Sequence, residues 1–140
     1  MHVSVDIPQD PATVWADVER LETHTEWMAD AAAIEFEGDL RRGVGVVMHV
    51  LTKVGPLQTT DVIRVISWDP EAAIGVRHEG LVTGTGHFRL EPIANGTRFH
   101  WEEDLKMPWY FGGPIGAVFA KPILSMIWRR NLRRLAARFS

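Results

Sequence analysis

The residues with the most chemistry to offer are a few carboxylates and imidazoles set inside apolar, alternating stretches. Asp61 heads the segment DVIRVISW and His78 ends the segment AIGVRH, on either side of the turn signal Asp69-Pro70. Folding the two segments about that dipeptide sets Val65 against Ile74, Ile63 against Val76 and Asp61 against His78, with Arg64 outward. Asp61 and His78 then both face inward. A carboxylate beside an imidazole holds its tautomer and favours its charged form, while burial opposes the charge. Poised near neutrality, such a ring works as general acid or base on an enolisable ligand, which makes Asp61 and His78 the candidate catalytic pair. More often a pair of this kind is a structural polar contact at a cavity mouth.

A second hairpin, about Asn95-Gly96, supplies a third carboxylate. Pairing Leu90 with Phe99 places Phe88 against Trp101 and Gly86 against Glu103 on one face. The other face then reads Glu91 with Arg98, Arg89 with His100 and His87 with Glu102. Favourable partners at each of those positions, worth about 0.2–1 kcal/mol apiece, mark that face as the outer one. Phe88, Trp101 and Glu103 therefore point inward. Gly84 and Gly86 carry no side chain and would leave room there for a ligand. Val44, Val46, Met48 and Val50 extend an apolar wall, with His49 outward. Trp27 and Tyr110 flank the segments that would close the two ends, their polar tips free to orient a ligand or simply to reach the surface. The candidate cavity lining is thus Trp27, Met48, Ile63, Val76, Gly84, Gly86, Phe88, Trp101, Glu103 and Tyr110.

Other chemistries find less support. His24, His49, His78, His87 and His100 show no paired spacing on one element, so no metal is assigned. Gly112-Gly113-Pro114-Ile115-Gly116 lacks the Lys and Ser/Thr of a phosphate loop, and Pro114 removes a backbone donor. No cofactor is expected. The chain has no Cys, which removes disulfides, thiolate ligands and a cysteine nucleophile and permits a reducing cytoplasm, the expected location. A net charge of −3 gives no global attraction for DNA.

The elements that must position these residues follow from periodicity. His2 to Ile7 alternates as a strand stopped by Pro8, and Asp10-Pro11 is a strong helix start for Pro11 to Arg20. A second helical piece covers Glu22 to Met28. From Ile34 to Lys106 strands alternate with turn residues, an antiparallel meander of about six strands. Ile115 to Phe139 is helical, with Leu124, Trp128, Leu132, Leu135 and Phe139 on one stripe and Pro122 expected to kink or break it. The 140 residues suit one domain.

This order resembles the START-related helix-grip superfamily, in particular its polyketide cyclase/dehydrase and lipid-transport branch. The likeness runs through Val5-Asp6-Ile7-Pro8, Ala12-Thr13-Val14-Trp15, Glu26-Trp27-Met28, Gly43-Val44-Gly45, Trp68-Asp69-Pro70, Leu90-Glu91-Pro92 and Gly96-Thr97-Arg98-Phe99. It implies an α+β helix-grip fold, a seven-stranded curved antiparallel sheet around a long C-terminal helix, with a cavity for a lipid, polyketide or other apolar ligand. It does not imply one reaction, because fold supplies the site and not the chemistry. A cyclase/dehydratase of the polyketide type is one expectation.

The other is a docking module. Arg129, Arg130, Arg133, Arg134 and Arg138 crowd the end of the last helix, where they either form a solvated face or meet RNA or an anionic membrane surface. Trp109 to Trp128 has a single charge, Lys121, but its prolines and that lysine argue against a membrane span.

Overall fold

The computed structural model describes residues 1–106 and 113–139, and the side chains of all of these except 113–120. β1 (His2–Ile7) leads into α1 (Pro11–Val18). Asp10 caps α1, its carboxylate accepting from the Thr13 amide at 2.9 Å, and Pro11 takes the first turn, where no amide is needed. The second helical piece follows as a 3-10 helix (Leu21–Glu26), ending two residues before the expected Met28. The strands β2 (Ala31–Glu37), β3 (Val47–Val54), β4 (Leu57–Asp69), β5 (Ala73–Glu79), β6 (Thr83–Ile93) and β7 (Gly96–Lys106) come next, and α2 (Gly113–Ala137) closes the chain. Pro122 lies inside α2 without ending it.

The seven strands form one antiparallel sheet in the order β1-β7-β6-β5-β4-β3-β2. Only β1 pairs far from its sequence neighbours, laying Val3 against Trp101 and Val5 against Phe99. The β6–β7 register is the expected one, with Leu90 on Phe99, Phe88 on Trp101 and Gly86 on Glu103. The β4–β5 register is not. Val65 pairs with Val76, Ile63 with His78 and Trp68 with Ile74, so Asp61 does not stand opposite His78. Two local features cause the shift. The connection is a three-residue loop in which the Ala72 amide bonds the Asp69 carbonyl and Glu71 takes a positive φ of 65°, a conformation that Glu adopts at a cost. A bulge between Val65 and Ser67 then absorbs Ile66 and restores the alternation. Up to the bulge the residues slide by two and keep their faces; beyond it, toward the loop, the slide is three and Trp68 joins the face of Ile74.

One face of the sheet carries the core. Val3, Ile7, Val50, Val65, Ile74, Leu90, Phe99 and Trp101 are buried there with Val14, Trp15 and Val18 of α1. From α2, which lies against β1 and β7, come Trp128, Leu132 and Leu135. The Trp101 and Trp128 rings stack at 4.6 Å. Val46, Met48 and Val50 are buried as expected, but Val44 is exposed because β3 begins only at Val47. Among the described residues no helix is long and apolar enough to cross a membrane.

Two buried polar side chains lock this core. Asn131 of α2, fully buried, donates to the Asp30 carboxylate at 2.6 Å and accepts from the Ala29 amide at 3.0 Å, tying α2 to the chain just before β2. His24 donates through Nε2 to the Val18 carbonyl at 2.7 Å and packs on Trp27 and Phe88. Burial holds its pKa down to about 4, so the ring is neutral.

Asn131→Ala removes both bonds of a fully buried side chain, to the Ala29 amide and the partly buried Asp30 carboxylate, and urea unfolding should show a loss of about 1–3 kcal/mol. A change below about 0.5 kcal/mol would mean that water replaces both bonds. His24 makes stability fall in acid. The unfolded ring takes a proton near its ordinary pKa of 6.5 and the folded one only near 4, so stability is full above 6.5 and declines between those values. The decline amounts to about 3 kcal/mol, and His24→Phe should flatten it in unfolding curves taken across that range.

Candidate functional site

Three inward side chains, one from β5 and two from β7, meet over Gly86 of the strand between them. The Glu103 carboxylate accepts from the Trp101 indole N–H at Oε1, 3.0 Å away, and lies 3.0 Å from His78 Nε2 at Oε2. Only 13 % of the His78 side chain and 8 % of that of Glu103 are exposed. An ionised carboxylate only accepts, so Nε2 carries the shared proton and the neutral ring presents Nδ1 as a lone pair. Burial is the largest single influence on His78 and works against its charge. The hydrogen bond and charge of Glu103, with the charge of Asp61, outweigh it, and the pKa ends above the ordinary 6.5.

The sequence reading of Gly84 and Gly86 as space for a ligand is corrected here. A Cβ on Gly86 would stand 1.9 Å from Glu103 Oε2, so the missing side chain makes the seat for that carboxylate. Gly84 has a φ of +132°, and a Cβ there would meet the Asp104 carbonyl oxygen at 1.9 Å, so the backbone pairing itself requires glycine.

Asp61 lies near His78 without a hydrogen bond to it, so the expected pairing of the two is replaced by His78 with Glu103. The Thr52 hydroxyl donates to Asp61 Oδ2 at 3.0 Å. Oδ1 is buried and has no partner among the described residues. Burial raises the Asp61 pKa, against the Thr52 bond and the charge of His78. Beside these groups, Ile34, Phe36, Ile63 and Val76 share the inner face with buried Met48, and all four are only partly covered.

Trp27 is deeper than a ligand-orienting role requires. It is fully buried among Phe88, Phe99 and Trp101, and its indole nitrogen has no partner among the described residues. Phe88 belongs to the same aromatic cluster. Tyr110 falls outside the described residues. Of the C-terminal arginines, Arg138, just past α2, makes a bidentate pair with Asp17 at 2.8 and 2.9 Å and also approaches Glu26. Arg134 donates to the Glu26 carbonyl at 3.3 Å, and Arg129, Arg130 and Arg133 are exposed.

Glu103→Gln removes the charge that favours imidazolium, and NMR titration of His78 should show its pKa falling. Gly86→Ala should do the same, because the new methyl group pushes aside the flexible end of Glu103 and leaves the backbone in place. A parent-like titration in both variants would detach His78 from Glu103. The sign for stability follows from the raised pKa. The advantage of the parent over Glu103→Gln is complete just below pH 6.5 and is lost as pH rises through the elevated value.

The whole chain, residues 1–140, matches the family model for polyketide cyclase / dehydrase and lipid transport. Among solved structures it is similar to the protein TTHA0849 from Thermus thermophilus, at a TM-score of 0.80 and 17% identity over 99% of this chain and 95% of that one. It is also similar to the ZhuI aromatase/cyclase from Streptomyces sp. R1128, with TM-score 0.75 and 15% identity over 99% and 91% of the two chains. The di-domain aromatase/cyclase StfQ from the steffimycin biosynthetic pathway matches at TM-score 0.79 and 15% identity, covering 99% of this chain and 49% of that one. At such identities the likeness is one of fold. No curated protein matches the chain in sequence. With a seven-stranded antiparallel sheet, a long closing helix and a family match from end to end, the chain belongs to the polyketide cyclase / dehydrase and lipid transport family.

Proposed function

We propose that the chain binds one apolar molecule of polyketide or lipid type between the inner face of the sheet and α2, and that His78 exchanges a proton with it. The observation that carries this reading is a largely covered imidazole–carboxylate pair beside an apolar wall that stays partly uncovered. Ile34, Phe36, Ile63 and Val76 lie on the face where side chains should be fully packed, next to His78 and Glu103. The family match and the aromatase/cyclases among the similar folds favour the same class of ligand.

The chemistry follows from the groups present. Nδ1 of neutral His78 takes a proton from a carbon flanked by carbonyls, and Glu103 stabilises the imidazolium that results. The carbanion closes a ring on a second carbonyl of the same ligand. The imidazolium protonates the alkoxide so formed; the neutral ring then takes the second proton of the same carbon and, as imidazolium, gives it to the new hydroxyl, which leaves as water as the C=C bond forms, so the ring ends neutral. Asp61 Oδ1, without a protein partner among the described residues, is an acceptor for a ligand hydroxyl.

Titration with the fluorophore 1-anilinonaphthalene-8-sulfonate should saturate near one per chain. Mass spectrometry of an organic extract of the purified protein should then identify any resident apolar compound. Val76→Trp, checked for folding by circular dichroism, fills the space beside His78 and should weaken fluorophore binding at least tenfold. Parent-like binding in that variant would place the apolar site elsewhere. On an enolisable ligand His78→Ala should cut the rate by about 10²–10⁴-fold while changing affinity far less. No saturable binding, together with salt-sensitive retention on RNA or anionic vesicles that is lost on replacing Arg129, Arg130 and Arg133, would favour the docking alternative instead.

A further inference from the structure

The outer face of the sheet carries a second constellation, unconnected with His78. His2 of β1 pairs directly with Glu102 of β7, and His100 sits one outward step along that strand. A ring nitrogen of His2, one of His100 and a Glu102 oxygen all lie within 4.8 Å of one another. The two histidine nitrogens are 2.8 Å apart, and His2 Nε2 is 3.9 Å from Glu102 Oε1.

We propose that His2, His100 and Glu102 form a binding site for a divalent transition-metal ion of the zinc type. Donor atoms around tetrahedral zinc, bonded at about 2.0–2.1 Å, stand about 3.3 Å apart. The observed spacings straddle that value; His2 Nε2, which donates to His100 Nδ1 without the ion, gives up that proton while Nδ1 keeps the ring's N–H, and an adjustment of the exposed His2 ring brings the set into place.

The surroundings are arranged as a metal would need them. His100 is buried, and its other nitrogen, Nε2, lies 2.9 Å from Glu91 Oε1. A carboxylate only accepts, so Nε2 keeps the proton and Nδ1 presents a lone pair toward His2. A carboxylate behind the far nitrogen is the usual support of a metal-binding imidazole, setting the tautomer and raising ligand basicity. Glu102 is held in turn, its other oxygen 3.0 Å from His87 Nε2. Arg89 donates to Oε1 at 3.2 Å, a contact that the ion would compete with. His2 and Glu102 also line an open depression of about 490 Å³, where water can complete the coordination shell.

The test is competition between the tag-free full chain, stripped of metal, and a chromophoric chelator for Zn²⁺. One Zn²⁺ per chain is expected. His2→Ala and Glu102→Gln should each weaken binding at least tenfold, and Glu91→Gln should weaken it by about 10–100-fold through His100. Both ligand variants change partly exposed side chains and should fold, whereas buried His100 is better left in place. His49→Ala, at another exposed histidine–carboxylate pair, and Glu103→Gln, at the inner site, should bind as the parent does. Absence of saturable binding in the parent overturns the proposal. So does parent affinity in either His2→Ala or Glu102→Gln.

Discussion

The inner site depends on one contact, the Glu103 carboxylate lying on the bare backbone of Gly86. A side chain of any size on Gly86 would occupy the position of Oε2, and among the described residues no other inward side chain of β7 bonds His78. From that seat the carboxylate joins three strands: it receives the indole N–H of Trp101 on β7, crosses β6 and holds His78 on β5. Trp101 in turn stacks on Trp128, so the polar site and the packing of α2 share one ring pair. Moving the carboxylate would release the imidazole and loosen the aromatic surface against which the helix is set.

Burial gives this small network its electrostatic character. His78 and Asp61 are both removed from water, and desolvation disfavours the charged form of each. Glu103 reverses the outcome for His78 because it is close and hydrogen-bonded. Nothing comparable among the described residues reaches Asp61, whose single hydroxyl partner leaves one oxygen unpaired and its pKa raised. Two acidic side chains on one face thus differ in role by environment alone.

The outer face obeys the opposite rule. There Asp6 with Arg98, Arg64 with Glu79 and Arg89 with Glu102 pair across strands in contact with water, each contributing little to stability. His100 departs from that pattern, buried on the outer side with its Nδ1 2.8 Å from His2 Nε2. Its cover comes from β1, where His2 is 98 residues away in sequence, and could not be read from β6 and β7.

Alternation, turn residues and charge pairing were sufficient, within the sequence, to establish the element order, the inner and outer faces and the β6–β7 register, because each is a local property or is set by an Asn-Gly turn of standard length. The inward placement of Asp61, His78 and Glu103 was legible for the same reason. Their partnership was not. A three-residue loop with Glu71 at positive φ and a bulge at Ile66 slide β5 along β4 by two residues, and neither departure has a signature stronger than the Asp69-Pro70 turn that hides it. Gly86 read as empty space because a missing side chain looks alike whether a ligand or a neighbouring carboxylate fills the gap. The sequence by itself determined which residues face inward. Tertiary structure decided which of them touch, since contacts between strands depend on register to a single residue and on pairings, such as β1 with β7, that no local pattern encodes.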